Sequence, residues 1–236
     1  MNPVLRSPSN ARLLDAWDAG RRQHPLDRAL TLLRAFTGAD RRSLAALSIG
    51  ARDELLLAVR RRFFGDRLEA LCACEQCGEP NEFEIDARAL PVRPAGADAM
   101  VRLTSSRGEL TARLPNSTDL AAVFALDDDE ATRTLAARCV TATNPLDDDA
   151  LAQLEAAMAD AETLTALDIT FACSVCEAAN EAPFDAEIFL WNDVGDVCRR
   201  LLLEVDVLAS AYGWREGEIL ALGTERRAAY VDLARR

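Results

Sequence analysis

Of the seven cysteines in this 236-residue chain, four fall in two Cys-x-x-Cys pairs, Cys74 with Cys77 and Cys173 with Cys176. A two-residue gap lets both thiolates of a turn reach one ion. Two such turns complete a tetrahedral four-cysteine set with metal–sulfur bonds of about 2.3 Å. Four thiolates leave no coordination position for water or substrate, so the set points to one structural Zn2+ rather than a catalytic one. Held by both pairs, the ion closes a long loop, since equivalent cysteines lie 99 residues apart.

The pairs sit in a repeat. Leu68 to Leu90 reads LEALCACEQCGEPNEFEIDARAL and Leu167 to Phe189 reads LDITFACSVCEAANEAPFDAEIF, aligned without a gap. Leu, Ala-Cys, the second Cys, Asn-Glu and Asp-Ala coincide in the two copies. Each Cys-x-x-Cys lies in a turn cluster between short β-forming segments, which describes a hairpin. A thioredoxin-like redox pair would instead open a helix after a strand. Glu177 stands where the first copy has Gly78, which predicts backbone donors less well aimed at the second pair of sulfurs. Cys72, Cys139 and Cys198 lack paired spacing and read as core residues.

Other chemistry is sparse. The single histidine, His24, directly precedes Pro25 and reads as a helix-start residue; there is no HExxH, glycine-rich phosphate loop or nucleophile elbow. The acidic runs Asp127 to Glu130 and Asp147 to Asp149 fall at expected helix starts, where they complement the dipole. Arg60 to Arg62 reads as a solvated helix face.

The elements that must position the cysteines follow from periodicity. Residues 10–64 carry helical spacing, with Pro25 and Ser48 as starts and Gly38 and Gly65 as stops. Hairpins are expected over Leu68–Cys72 with Glu82–Asp86, over Met100–Thr104 with Glu109–Leu114, and in the second repeat copy. A loop spans Leu90 to Asp98, and helices are expected over 118–126, 129–140 and 148–160. Val197, Leu201, Val205, Leu208 and Tyr212 lay one apolar stripe along a helix over 194–212 that Gly213 ends. Short helices around Ile219 and over 224–233 complete the chain. The expected fold is a mainly helical α+β protein with a paired β-hairpin, zinc-ribbon-like module flanked by helices. Its regions are 1–66 (helical), 67–90 with 167–190 (the paired hairpins), 91–166 (hairpin plus helices) and 191–236 (helical).

Composition narrows the function classes. Half the residues are apolar, which excludes general disorder, and 27 basic against 39 acidic residues leave a net charge of −12. Nucleic acid repels such a surface, so a zinc-ribbon adaptor for nucleic acid or transcription machinery is the weaker alternative. The longest apolar run, Leu120 to Leu126, is far short of the roughly 18 residues of a membrane helix. A cytoplasmic protein with reduced thiols is expected, one that engages no membrane and no small-molecule substrate.

Several segments together resemble the family of phage-type baseplate hub assembly chaperones, related to the T4 baseplate proteins and found in contractile tails and contractile injection systems. They are LSIGARDELLLAVRRRFFGDRLEALCACEQCG (Leu47 to Gly78), RLPNSTDLA (Arg113 to Ala121), the second Cys-x-x-Cys followed by FLW (Phe189 to Trp191), and LLLEVDVLASAYGWREGEILALGTERRAAYVDL (Leu201 to Leu233). The resemblance implies non-enzymatic work: helping the central hub assemble by binding hub, spike or adjacent baseplate proteins, with incorporation into a phage-tail-like particle an open alternative. In the C-terminal stretch, Trp214, Glu216, Ile219, Leu222 and Tyr230 have two readings. They extend the protein's own core, or they present aromatic anchors in a polar rim to a baseplate partner.

Overall fold

The computed structural model describes residues 3–92, 100–105, 108–141, 146–162, 164–165 and 167–236. The tip of the second expected hairpin, Ser106 and Arg107, and most of the 90–98 loop lie outside them. Among the described residues the chain opens with helices α1 (Asn10–Gly20), α2 (Pro25–Thr37), α3 (Arg41–Ala45) and α4 (Ile49–Phe64). Strands β1 (Arg67–Ala73) and β2 (Pro80–Asp86) form the first antiparallel hairpin, and β3 (Met100–Ser105) with β4 (Gly108–Arg113) the second. Helices α5 (Ser117–Val123), α6 (Asp128–Cys139) and α7 (Asp148–Ala161) precede the third hairpin, β5 (Asp168–Ala172) with β6 (Ala179–Pro183). The long α8 (Ala186–Tyr212), then α9 (Glu216–Leu220) and α10 (Thr224–Ala234), complete an α+β architecture in which helices predominate.

Helix starts obey local chemistry. His24 Nδ1 accepts from the Leu26 N–H, and the Ser48, Asp127 and Asp147 side chains accept from the N–H three residues on. The acidic runs thus cap α6 and α7, as their position predicted.

Two compact units emerge: Met1–Arg41 with Glu187–Arg236, and Arg42–Ala186. This division corrects the expected regions at two places. Helices α3 and α4 group with the hairpins rather than with α1 and α2, because the start of α4 is tied to later residues of that unit. Ile49 N donates to the Pro115 carbonyl (2.9 Å) and Gly50 N to Glu162 Oε2 (2.7 Å). A side chain at Gly50 would meet that carboxyl group at 3.1 Å. The third hairpin also ends earlier than residue 190. The stretch from Ala186 is helical, and its Glu187 is a buried acid gripped by both Nε and NH2 of Arg28, at 2.5 and 2.7 Å.

In the first unit, Arg28 also lies over the Trp191 ring at 4.7 Å, and the buried Cys198 thiol donates to the Leu13 carbonyl on α1. Farther along α8, Leu208 packs with Ile219 and Val231, and the buried Arg227 of α10 pairs with Glu204. In the second unit Leu110, Ala112, Ala136, Cys139, Leu151 and Leu154 form a core between the β3–β4 hairpin and helices α6 and α7. Asp119, buried, accepts from Arg113 through both oxygens (2.5 and 2.9 Å), from Arg138 Nε (3.0 Å) and from Asn116 N (3.1 Å). The RLPNSTDLA segment is therefore a helix cap joined to a buried ion pair. Arg60 departs from the expected solvated face: it is buried, and its NH1 donates to the Gly65 carbonyl at the end of α4.

Candidate metal centre

Each Cys-x-x-Cys occupies the turn of a hairpin. In the first, Cys74 N donates to the Glu79 carbonyl and Gly78 N to the Cys74 carbonyl, both at 2.8 Å. In the second, Cys173 N donates to Ala178 (2.9 Å) and Glu177 N to Cys173 (3.1 Å). The same turn is thus built twice. Gly78 holds φ +75° and Glu177 φ +59°, so the glutamate accepts the left-handed conformation and the turn keeps its hydrogen bonds. Val175 N also donates to Cys173 Sγ (3.4 Å), so a backbone donor to sulfur is kept without the glycine, whose absence is absorbed as backbone strain of about 1 kcal/mol for a residue with a Cβ.

The turns meet. Cys74 Sγ lies 3.6 Å from Cys176 Sγ, Cys77 Sγ lies 3.6 Å from Cys173 Sγ, and all four sulfurs are within 4.8 Å of one another. A disulfide needs about 2.05 Å, whereas four sulfurs bonded tetrahedrally at 2.3 Å stand roughly 3.8 Å apart. The cluster has the second spacing. Cys74 and Cys173 are buried and Cys77 and Cys176 exposed. Among the described residues no other group of three or more Cys, His, Asp or Glu side chains is so arranged.

Electrostatics set these thiols at odds. Backbone N–H groups of Cys77 and Gln76 hold the Cys74 thiol below its usual range, and those of Cys176 and Val175 bring Cys173 down to about 6. Cys77 is pushed up to about 12: the Glu79 N–H favours its thiolate, but the Cys176, Cys173 and Cys74 sulfurs together with burial outweigh it. Cys176 is raised too, its Ala178 N–H being outweighed by burial and by the Cys173 and Cys74 sulfurs. Two sulfurs favour the thiolate and two resist joining them. A divalent cation among the four removes the conflict.

Cys139 and Cys198 lie in the helical cores, where burial raises both thiols, Cys198 to about 12. Cys72 is on β1, outside the cluster.

The C-terminal candidates divide. Ile219 is fully buried, a core residue beneath the others rather than a contact residue. Trp214 stacks on Tyr212 (4.9 Å, 25°) and stands perpendicular to Tyr230 (4.9 Å, 87°). A cavity of about 350 Å3 is lined by Trp214, Glu218, Leu222, Arg226 and Tyr230. Glu216 is exposed outside that lining, and Arg226 is a lining residue that sequence spacing did not single out.

Among the described residues no helix is long and apolar enough to cross a membrane. No protein-family model, curated protein or solved structure matches the chain.

Proposed function

We propose that this chain is a non-enzymatic assembly factor for the baseplate hub of a contractile tail or injection system, with its paired hairpins stapled by one structural Zn2+. The four-sulfur cluster carries the reading. A closed thiolate set holds chain segments together and offers no open position for catalysis. The machine is named by the sequence resemblance at Leu47–Gly78, Arg113–Ala121 and the C-terminal stretch. The cavity walled by Trp214, Leu222 and Tyr230, with Glu218 and Arg226 at its edge, supplies the aromatic anchor and mixed-charge rim that a protein partner needs.

Truncating the C-terminal stretch would strip Leu208 of its cover and break the Arg227–Glu204 pair, so point substitutions make the cleaner test. The chain is co-expressed with the hub, spike and adjacent baseplate proteins of a contractile system from the same genome. Wild type is expected to co-purify with one of them, and Leu222→Glu with Tyr230→Ala to lose it while keeping metal and cooperative melting. Co-purification with none of them contradicts the proposal.

A further inference from the structure

The Asn-Glu step shared by the two repeats is not explained by metal ligation. Asn81 and Asn180 are equivalent residues on β2 and β6, each only 5% exposed, and each reaches across to the opposite hairpin. Asn81 Oδ1 accepts from Ser174 N (2.8 Å), inside the second knuckle, and Asn180 Oδ1 accepts from Glu75 N (2.9 Å), inside the first. The amide nitrogens turn back on their own hairpins, Asn81 Nδ2 to the Glu79 carbonyl and Asn180 Nδ2 to the Ala178 carbonyl, both at 2.8 Å. Asn81 Nδ2 also points at Cys173 Sγ, 3.8 Å away, and at the equivalent place in the first knuckle the Asn180 side chain helps to lower the Cys74 thiol.

The bonds of the amides to the backbone are reciprocal, so the two hairpins are related by an approximate two-fold axis through the sulfur cluster. The orientation of each amide is determined by its partners: the oxygen faces an N–H and the nitrogen faces a carbonyl and a sulfur. Only asparagine among residues of this size offers both, because aspartate lacks the donor and leucine lacks everything. The two sulfurs engaged, Cys74 and Cys173, are the buried ones.

Resting on the metal reading above, we infer that Asn81 and Asn180 are the positioning residues of the metal centre. Each docks the opposite knuckle and donates to that knuckle's buried cysteine thiolate. A hydrogen bond to a ligand sulfur spreads its negative charge, and the cross-hairpin bond holds that sulfur where the ion requires it. Neither asparagine ligates the ion. Both act through Cys173 and Cys74.

The test uses the full chain and two probes, Zn2+ in competition with a chromophoric chelator and Co2+ read by its thiolate charge-transfer and d–d bands. Asn81→Ala and Asn180→Ala are each expected to weaken Zn2+ by about 10- to 100-fold, and by matching amounts because the module is two-fold. Asn81→Asp and Asn180→Asp keep the oxygen that accepts from the facing knuckle, so they preserve the cross-hairpin bond if the alanine variants fail to fold. They place an acceptor against a thiolate, so they are expected to weaken Zn2+ at least as much and to shift the Co2+ bands. Glu82→Ala and Glu181→Ala, at the next repeat positions with exposed side chains, are expected to bind as wild type. Wild-type affinity in the alanine variants, or its restoration by aspartate, overturns the assignment while leaving the metal site standing. A wild-type chain that binds neither ion overturns both.

Discussion

The two knuckle hairpins share one backbone and differ in what surrounds it. Leu68 is fully buried at the base of the first, whereas its counterpart Leu167 is only partly covered. Asp86 closes the first hairpin at the surface, where hydrogen bonds from the Arg88 side chain and N–H bring its carboxyl down to about 2. Its counterpart Asp185 instead faces the partly buried Asp53 of α4. The turn residue is Gly78 in one and Glu177 in the other. What keeps the same contacts in both copies is the turn backbone, the cysteines and the asparagines that bridge them. Their surroundings drift while the sulfur geometry does not, as expected when the constraint is one shared ion.

The β3–β4 hairpin supplies the contrast. It has no cysteine, and Val101, Leu110 and Ala112 are buried, the last two in the core shared with α6 and α7. Each knuckle hairpin buries far less apolar side chain, chiefly Leu68 in the first and the stacked Phe83–Phe171 pair, 4.9 Å between centroids, across the two. A hairpin with so little to bury is marginal alone. In the proposed zinc-bound form, metal–sulfur bonds would take the place of a core.

The largest expected effect is at the four-sulfur cluster. Cys74→Ser and Cys173→Ser should each abolish metal binding and disorder both hairpins together, at a cost above about 4 kcal/mol, because three thiolates cannot complete the site. Solution spectra of labelled protein check this; order surviving in the unsubstituted hairpin would break the account of a joint site. Next, Leu154→Ala should cost about 2–5 kcal/mol by opening a cavity under β3–β4 while metal content stays at wild-type level. Chemical denaturation paired with metal analysis reads both quantities.

A smaller effect distinguishes the hairpin ends by pH. Burial lifts the Asp53 carboxyl to about 6 against the pull of Arg52, and Asp185 and Glu162 lift it further. In the unfolded chain it titrates near 4, so the folded state takes up the proton first. Asp53 therefore adds stability below pH ~4 that is lost as pH rises through about 6. Relative to Asp53→Asn, wild type should gain about 2–3 kcal/mol between pH 6.5 and 4. A pH-independent difference between the two would sever Asp53 from the buried carboxyl group. The smallest effect is at the turns: Glu177→Gly should stabilise by about 0.5–1 kcal/mol by relieving the left-handed strain, and Gly78→Ala should destabilise by a similar amount.

Much of this was legible in advance. The four-sulfur cluster follows from the spacing of Cys74, Cys77, Cys173 and Cys176, and the hairpins from the turn residues between alternating strands. The start of α8 was hidden because residues 184–191 are apolar and aromatic enough to pass for strand, and the Arg28–Glu187 pair that anchors them comes from residues 159 apart. The burial of Arg60 depends on the Gly65 carbonyl folding back over it, which periodicity does not register. Asn81 and Asn180 were visible as a coincidence of the repeat. Their bridging role was not, because it exists only once the two hairpins face each other.

Elemental analysis of the full chain, purified under reducing conditions, tests the central claim most directly. One zinc per chain, removed by chelator with loss of hairpin order, is the predicted result. Two metals per chain, or native hairpins that persist unchanged in chelator, would contradict it.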